Sequence, residues 1–196
     1  MTTPLPAAAL AQLFYDARTV QRFADTPVSR ETLTQLYDLV RHGPTGFNAQ
    51  PARFVFVQRI EAKALLAPAL SARNRERVLA APATVLIAWD SCFHEALPRL
   101  FPGFDARGFF DSHPALIELS ATSNTALQTG YLILAARALG LAVAPMSGLD
   151  TAAVDAAFFP DGRWRTLWIA SLGYGLADDL PPRLPRLALD EAVTFR

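Results

Sequence analysis

The sequence predicts one helix-flanked β-sheet domain of the α+β or α/β class, spanning residues 1–196. Segments with helical apolar spacing alternate with short apolar runs of strand length. A chain of 196 residues can bury one full core, and 52% hydrophobic residues with a mean hydropathy of +0.20 exclude a disordered chain. The same composition favours a large buried interface.

The longest predicted element is a helix that begins near residue 114 and ends before Gly140, a residue typical of helix C-termini. Its only charged residues are Glu118 and Arg137, so no wide polar face is left for solvent. We therefore expect this helix to be buried on nearly all sides, in a core that two subunits share. An interior strand over 141–144 is predicted to follow it.

Shorter elements are predicted before and after this helix. Two helices come first, one after Pro6 and one that is capped by Ser29 and closed by Gly43. The other predicted elements are a helical segment over 61–79 that breaks near Pro68, a helix over 150–158 capped by Asp150 or Thr151, and strands over 54–57, 84–89 and 166–172.

Charge and cysteine content exclude several classes of function. The 18 basic and 18 acidic residues balance, so the chain lacks the positive field that holds a nucleic acid or an anionic membrane. Cys92 is the single cysteine, and the three histidines lack metal-ligand spacing, so we expect no disulfide and no metal site. No stretch has 18 uninterrupted apolar residues and the N-terminus lacks a basic signal region. We expect a cytoplasmic protein.

Three polar or aromatic segments are candidates for binding. The loop over 43–51 is rich in hydrogen-bonding groups, and Asn74 and Arg77 share one helix face. The phenylalanine-rich segment over 91–114 is typical of a lid or pocket wall. Seventeen of the 18 basic residues are arginine, which suits phosphate or carboxylate binding but could also reflect genome composition. The proline-punctuated tail lacks a partner in its own sequence and is expected to dock elsewhere.

The order of these motifs resembles the FMN-dependent nitroreductase family over nearly the whole chain. The motifs are the arginine-containing stretch 18–23, the loop 44–51, the pair Asn74 and Arg77, the helix that runs into Gly140 and Leu141, the segment 145–148, and an arginine in the tail. No single motif carries the resemblance; their order does.

This resemblance implies a fold, a cofactor and a set of contacts. The fold would be α+β, with a central, mostly antiparallel sheet flanked by helices in an intertwined homodimer. FMN would lie in a groove made by both chains, and NADH or NADPH would donate the hydride. The FMN contacts implied by the resemblance are Arg18, Thr19, Gln21, Pro44, Thr45, Gly46, Asn48, Asn74, Arg77, Pro145, Met146, Ser147, Gly148 and either Arg183 or Arg186.

The chain departs from the family pattern at two positions. Ala17 stands where an arginine is usual, and Gln21 stands where a cation usually approaches the flavin pyrimidine. A neutral amide donates without charge assistance, so the reduced flavin should be stabilised less. Gln21 and the stretches 100–102 and 105–107 are most similar to the branch containing malonic semialdehyde reductase. Arg107, among phenylalanines and near Asp105, is then the candidate for the substrate carboxylate. Alternatively, Arg107 is an exposed side chain paired with Asp105 or Asp111.

The predicted function is reduction of a small molecule through bound FMN. Such a reaction requires no catalytic nucleophile and no metal from the protein, because the flavin carries the hydride. The acceptor could be malonic semialdehyde, which would yield 3-hydroxypropionate, or a quinone or nitro compound. Two other classes stay open: a flavin-binding protein without turnover, and a purely structural dimer.

Overall fold

The computed structural model describes residues 3–176 and 180–196, and a four-stranded antiparallel sheet forms its centre. Each of the three strand pairings in this sheet is antiparallel, which confirms the α+β class and the antiparallel sheet that the resemblance implies. The strands are β1 (Ala52–Val57), β2 (Ala83–Asp90), β3 (Ala142–Met146) and β4 (Trp164–Gly173), in the spatial order β1-β2-β4-β3.

Helical segments cover both faces of the sheet. The α-helices are α1 (Ala7–Leu10), α2 (Arg30–Val40), α3 (Ile60–Leu66), α4 (Ala72–Ala80), α5 (Leu97–Leu100), α6 (Ala106–Ser112), α7 (Ala115–Ala138), α8 (Thr151–Phe158) and α9 (Leu189–Ala192). A π-helical turn (Ala11–Tyr15) extends α1, and 3₁₀ turns lie at Gly46–Asn48, Ala67–Ala69 and Phe93–Ala96.

Side chains of β2 alternate between two hydrophobic cores, one on each face of the sheet. Val85 and Ile87 pack in a core with buried residues of α2 and α7. Leu86 and Ala88 pack in a second core with buried residues of α3, α4 and α8. All eight residues of β2 are buried, because helices cover the sheet on both sides. The mostly apolar sequence of this strand follows from this arrangement.

Local capping signals place the helix ends as the sequence predicts. The Ser29 hydroxyl accepts a hydrogen bond from the Thr32 N–H at 3.1 Å and caps α2. The N-cap of α8 is Asp150 rather than Thr151, since the Asp150 carboxylate accepts a hydrogen bond from the Ala153 N–H. Gly140, with φ +77°, ends α7 in a Schellman motif that is closed by the bond from the Leu141 N–H to the Ala136 carbonyl.

One face of α7 is exposed in the single chain, so its expected burial between two subunits stays a prediction. The inner face packs on the sheet, but no further layer of the described residues covers the outer face. We call this face the outer stripe. It consists of the exposed residues Leu116, Leu119, Ser123, Leu127, Gly130 and Tyr131, of which Leu119 is 64% exposed. An exposed apolar stripe of this kind is typical of an interaction surface.

The strand after α7 lies at an edge of the sheet rather than in its interior. β3 pairs only with β4 within the described part of the chain, although Val143, Ala144 and Met146 are buried. Pro145 lacks an N–H and is therefore suited to an edge strand. The apolar pattern predicted burial correctly, but burial of side chains does not specify how many strands pair with a backbone.

The C-terminal residues form an extended, exposed tail. From 180 onwards every described residue except Pro181 is exposed, and Phe195 is 82% exposed. Large apolar side chains recur along the tail at Leu184, Leu187 and Leu189. The tail thus leaves apolar side chains uncovered, as the outer stripe does.

Candidate functional site

Arginine side chains converge on a cavity of about 520 Å³ between the N-terminal helix and the tail. We call it the arginine cavity. Its lining includes no carboxylate among the described residues. The lining residues are Phe14, Ala17, Arg18, Thr19, Gln21, Arg73, Arg137, Pro181, Pro182, Arg183, Leu184 and Arg186.

The carbonyls at the end of the first helix hold three of these arginines. Arg18 Nη1 donates to the Tyr15 and Ala17 carbonyls, each at 2.9 Å. Arg183 Nη2 donates to the Phe14 carbonyl at 2.9 Å and also contacts the Tyr15 and Ala17 carbonyls. Arg137 Nη1 donates to the carbonyl of Leu13 at 2.8 Å. Helix C-termini attract cations because their last carbonyls have no partner within the helix.

Gln21 joins this cavity to α4. Its Oε1 accepts from Arg77 Nη2 at 2.5 Å and from Arg73 Nη2 at 3.4 Å. Arg73 and Arg77 are four residues apart, and residues at this spacing share one helix face. One neutral oxygen therefore lies between two guanidinium groups.

The cluster lacks compensating negative charge. None of Arg18, Arg73, Arg77, Arg137 and Arg183 forms a salt bridge within residues 3–176 and 180–196. Burial lowers the pKa of the Arg77 guanidinium, and the nearby charge of Arg73 lowers it further. Burial likewise lowers the pKa of Arg137, with Arg183 as the second cause. A bound anion would stabilise all these charged groups at once.

One donor in the cluster is left unsatisfied. The Nε of Arg18 is buried and has no hydrogen-bond partner among residues 3–176 and 180–196. Buried donors without a partner cost free energy, so such a group indicates a missing ligand atom or water. Taken with the surrounding guanidiniums, it fits a group with several anionic oxygens, such as a phosphate monoester.

A second predicted segment lies next to this cluster along α4. Asn74 Nδ2 donates to the Gly148 carbonyl at 3.0 Å, which fixes the loop after β3 against α4. A Cβ on Gly148 would lie 3.2 Å from that same nitrogen, so the close approach favours glycine. Pro145, Ser147 and Gly148 are exposed at the strand end, whereas the Met146 side chain is buried. This segment can therefore present its main chain to a ligand.

The predicted loop over 43–51 lies elsewhere in the same chain. The Gly46 N–H donates to Asn124 Oδ1 at 2.8 Å, which attaches the loop to the middle of α7. The Thr45 hydroxyl accepts from the Gln50 N–H, and Asn48 Nδ2 donates to the Leu100 carbonyl. No described hydrogen bond joins this loop to the arginine cavity. A single chain thus separates Pro44, Thr45, Gly46 and Asn48 from the other predicted contacts.

This loop has an unusual backbone and borders a larger cavity. Phe47, Asn48 and Gln50 all have positive φ, at 55°, 51° and 45°. Non-glycine residues in this region store strain and often cluster at ligand sites. Pro44 and Asn48 also line a cavity of about 770 Å³ that the side chains of α2, β1 and α5 enclose.

Phe47 is the centre of an aromatic wall formed with the segment over 91–114. Its ring centroid lies 5.6 to 5.9 Å from those of Phe101, Phe104, Phe109 and Phe110. These contacts join the loop to the predicted lid and make one apolar surface. Phe104 is 52% exposed, so the wall is open on one side.

Arg107 lies beside this wall, but its partner is not Asp105. Its Nε lies 3.6 Å from a carboxylate oxygen of Asp111, one turn along α6, and the side chain is half exposed. Asp105 instead caps α6 by accepting from the Gly108 N–H at 2.9 Å. This arrangement matches the surface pairing with Asp111, one of the two alternatives that the sequence left open.

Sequence reasoning missed two members of the arginine cluster. Arg73 could have been found from its i,i+4 spacing to Arg77. Arg137 had a weaker signal, because it was visible only as the sole cation in a long apolar helix. No group of His, Cys, Asp and Glu in the described residues could hold a metal ion. Nor does any described helix have the length and apolar character of a membrane span.

Comparisons with known proteins agree with the resemblance. The model of the nitroreductase family matches residues 15–174. A protein of Xanthomonas oryzae pv. oryzae (strain PXO99A), named "Putative NADH dehydrogenase/NAD(P)H nitroreductase", is 54% identical over 195 residues, which cover 100% of both chains. A protein of the same name from Stutzerimonas stutzeri (strain A1501) is 52% identical over 195 residues, again 100% of both.

Solved structures share the fold at lower identity. A nitroreductase family protein from Streptococcus pneumoniae TIGR4 has a TM-score of 0.81 and 23% identity, over 95% of this chain and 100% of that one. A protein assigned as a nitroreductase from Exiguobacterium sibiricum 255-15, crystallised in complex with FMN, has a TM-score of 0.81 and 20% identity over 100% of both chains. With a family model over most of its length and relatives more than half identical from end to end, this chain belongs to the nitroreductase family.

Proposed function

We propose that this protein is an FMN-dependent oxidoreductase that takes a hydride from NADH or NADPH and reduces a small acceptor. The arginine cavity is the observation that carries this proposal. It provides a concentrated set of guanidiniums without a carboxylate among the described lining residues, which suits the phosphate of FMN. Relatives more than half identical carry the name NAD(P)H nitroreductase, in agreement with this activity.

The phosphate would be bound by Arg18, Thr19 and a tail arginine. Arg183 is better placed than Arg186, because Arg183 shares main-chain acceptors with Arg18. Arg186 folds back onto the carbonyls of Leu184 and Pro185. The buried, unpartnered Nε of Arg18 would gain an acceptor from the phosphate.

The flavin ring would lie along the segment 145–148 and α4. FMN supplies the hydride chemistry, and the protein supplies binding, orientation and exclusion of water. Asn74 holds the loop at Gly148, so the exposed main chain of this segment keeps a fixed position. Gln21 would donate through a neutral amide, while its carbonyl oxygen holds Arg77 and makes a long contact of 3.4 Å with Arg73. The cation near this end of the ring would thus be Arg77 of α4 rather than a side chain at position 21.

We further propose a homodimer that completes the site. The outer stripe and the tail both leave large apolar side chains exposed, and a second copy of the chain would cover them. The loop over 43–51 contacts α7 at Asn124, whereas the arginine cavity contacts α7 at Arg137. These two residues are roughly 20 Å apart along the helix, at about 1.5 Å per residue.

Antiparallel packing of two outer stripes would remove this separation. In a two-fold pair, residues at equal distances from the crossing point lie opposite each other. The midpoint between Asn124 and Arg137 falls at Gly130 and Tyr131, which belong to the stripe. Crossing there would bring the partner's loop, with Pro44, Thr45, Gly46 and Asn48, towards the arginine cavity of the first chain. This explains how contacts that one chain keeps apart can serve one FMN.

The acceptor that we propose is malonic semialdehyde, with a quinone or nitro compound as the alternative. The aromatic wall provides apolar surface near Arg107, and a guanidinium suits the carboxylate of an acid semialdehyde. In the structure Arg107 pairs with Asp111 at 3.6 Å. An exposed pair of this kind is weak, so a substrate carboxylate can displace it at little cost.

Anaerobic titration of the purified protein tests the proposed function. We expect a yellow protein from which FMN is released on denaturation. NADH or NADPH should bleach it without oxygen, and a quinone or malonic semialdehyde should restore the colour. A protein that cannot be loaded with FMN would contradict the proposal. A flavin that neither nucleotide bleaches would leave only a flavin-binding protein.

A further inference from the structure

Arg73 occupies an electrostatically unfavourable position. It lies in the first turn of α4, which contains no acidic residue, and the positive end of a helix dipole disfavours a cation there. The charge of Arg73 also lowers the pKa of the neighbouring Arg77. Among the described residues, its one hydrogen bond is to the neutral Gln21 oxygen at 3.4 Å. No contact with this part of the chain therefore accounts for this exposed cation at the mouth of the arginine cavity.

The cavity contains more positive charge than FMN can neutralise. Arg18, Arg73, Arg137, Arg183 and Arg186 line it, and Arg77 meets it at Gln21. A phosphate monoester carries a charge of about −1.5 to −2 at pH 7. Asp178 and Asp179 lie outside the described residues. Even if each of them neutralised one arginine, a positive surplus would remain once FMN was bound.

Part of this surplus is exposed beside α4, at Arg73. The other exposed arginines of the cavity, Arg183 and Arg186, donate to main-chain carbonyls at 2.9 to 3.0 Å. Arg18 and Arg183 share the carbonyls of Tyr15 and Ala17, and Arg137 is bound at Leu13. Arg73 is exposed and only weakly held, so it is free to turn towards a second ligand. The second ligand that the proposed reaction requires is the nicotinamide nucleotide. NADPH carries one more phosphate monoester than NADH, on the 2′ position of its adenosine.

We infer that Arg73 binds the 2′-phosphate of NADPH and makes NADPH the preferred hydride donor. This inference rests on the proposed function and adds which nucleotide donates the hydride. One exposed guanidinium with N–H groups left to donate matches one additional phosphate. A charge-assisted contact of this kind changes affinity by roughly ten- to hundred-fold.

The test compares nucleotide preference in the holoenzyme and in the variants Arg73→Gln, Arg73→Lys and Arg75→Gln. Arg75 is the matched control, because it lies on the same helix but its guanidinium donates to the Ala67 and Leu70 carbonyls, away from the cavity. Anaerobic stopped-flow measurements give the rate of flavin reduction at several concentrations of NADPH and NADH. We expect the NADPH to NADH ratio of kcat/KM to fall ten- to hundred-fold in Arg73→Gln, less in Arg73→Lys, and not at all in Arg75→Gln.

A binding measurement separates this inference from the proposed function. Calorimetry with adenosine 2′,5′-bisphosphate and with 5′-AMP requires no turnover. Arg73→Gln should weaken binding of the bisphosphate at least ten-fold and leave binding of 5′-AMP within about two-fold. Equal binding of both probes to the unmodified protein, or an unchanged nucleotide ratio in Arg73→Gln, would overturn the inference. A loss of FMN affinity as large as the loss of bisphosphate affinity would make Arg73 a flavin ligand instead. A protein that neither nucleotide reduces would contradict the proposed function, while the calorimetry would still decide the role of Arg73.

Discussion

Arg18 and Arg183 donate hydrogen bonds to the same two main-chain carbonyls, those of Tyr15 and Ala17. The two arginines are far apart in sequence, yet these shared acceptors keep their guanidiniums adjacent. The tail is thereby attached to the first helix next to the proposed phosphate position. A phosphate would find two fixed cations rather than two mobile side chains.

Removing either arginine should weaken FMN binding. Arg18→Gln and Arg183→Gln should each cost about 1.5 to 3 kcal/mol of binding free energy, the value of a charge-assisted contact. This corresponds to roughly ten- to hundred-fold in Kd, measurable by flavin fluorescence titration. Arg59→Gln is the control, because the Arg59 side chain is 86% exposed and pairs with Glu61 at 4.0 Å. Unchanged affinity in both test variants would show that the phosphate lies elsewhere.

The proposed crossing of two α7 helices predicts that Gly130 tolerates no large side chain. A Cβ on Gly130 meets no atom within 4 Å in the single chain, so Gly130→Leu should fold. At a close helix crossing the same side chain would collide with the partner. We expect analytical ultracentrifugation to show a large shift to monomer and loss of FMN. Ala156→Leu on the exposed side of α8 is the control. A dimer that forms equally well in Gly130→Leu would place the crossing elsewhere.

Asp90 is a buried carboxylate that joins the ends of three strands. Its oxygens accept from Arg53 at 2.6 Å, from Arg163 at 2.9 and 3.2 Å, and from the Cys92 N–H at 2.9 Å. Burial alone would raise the pKa of Asp90, but the bonds from Arg163 and Cys92 and the charges of both arginines outweigh it and lower the pKa.

Since the folded state lowers this pKa, Asp90 stabilises the protein above the unfolded pKa of about 3.9. That contribution is lost as the pH falls through the lower, folded pKa. Asp90→Asn should reduce the free energy of unfolding at pH 7 by about 3 kcal/mol. This is the lower end of the range for a broken buried ion pair, and it applies because the Arg163 side chain is 42% exposed. Urea unfolding at pH 7 and pH 3 measures the difference in the free energy of unfolding between Asp90→Asn and the unmodified protein. This difference should be smaller at pH 3 than at pH 7. Asp38→Asn, which removes an exposed pair with Arg41, should change stability by less than about 1 kcal/mol.

Arg107 decides between the two proposed classes of acceptor. Arg107→Gln should lower kcat/KM for malonic semialdehyde by about 1.5 to 3 kcal/mol, the value of a lost charged contact, and leave quinone reduction nearly intact. Asp111→Asn is informative as a second variant, because it removes the present partner of Arg107 and should leave semialdehyde turnover equal or higher. If Arg107→Gln lowers kcat/KM equally for both acceptors, Arg107 has a structural role. If kcat/KM is unchanged for both acceptors, Arg107 is a surface residue without a role in catalysis.

Features that depend on a few neighbouring residues could be predicted from the sequence. Ser29 caps α2 and Gly140 ends α7 because the responsible atoms lie within five residues of each other. The break near Pro68 is found as the 3₁₀ turn Ala67–Ala69 between α3 and α4.

Features that depend on packing between distant elements could not be predicted in the same way. Arg137 reaches the cavity only because the end of α7 packs on the first helix, and no spacing in the sequence indicates this. The network around Asp90 was missed because Arg53 lies in β1, Arg163 directly precedes β4, and both resemble surface arginines in the sequence. The outer stripe is exposed in the single chain, and burial of this face by a second subunit stays a prediction, because an apolar pattern does not say which chain provides the cover.

The single lysine of this chain is hidden inside the fold. Lys63 is 6% exposed, its Nζ donates to the Ala81 carbonyl at the end of α4, and burial lowers its pKa. Reagents that acylate lysine side chains will therefore find nothing to modify until α3 and α4 separate. The rate of acylation at Lys63, followed by intact mass, thus reports how often α3 and α4 separate. The same α4 carries Arg73 and Arg77.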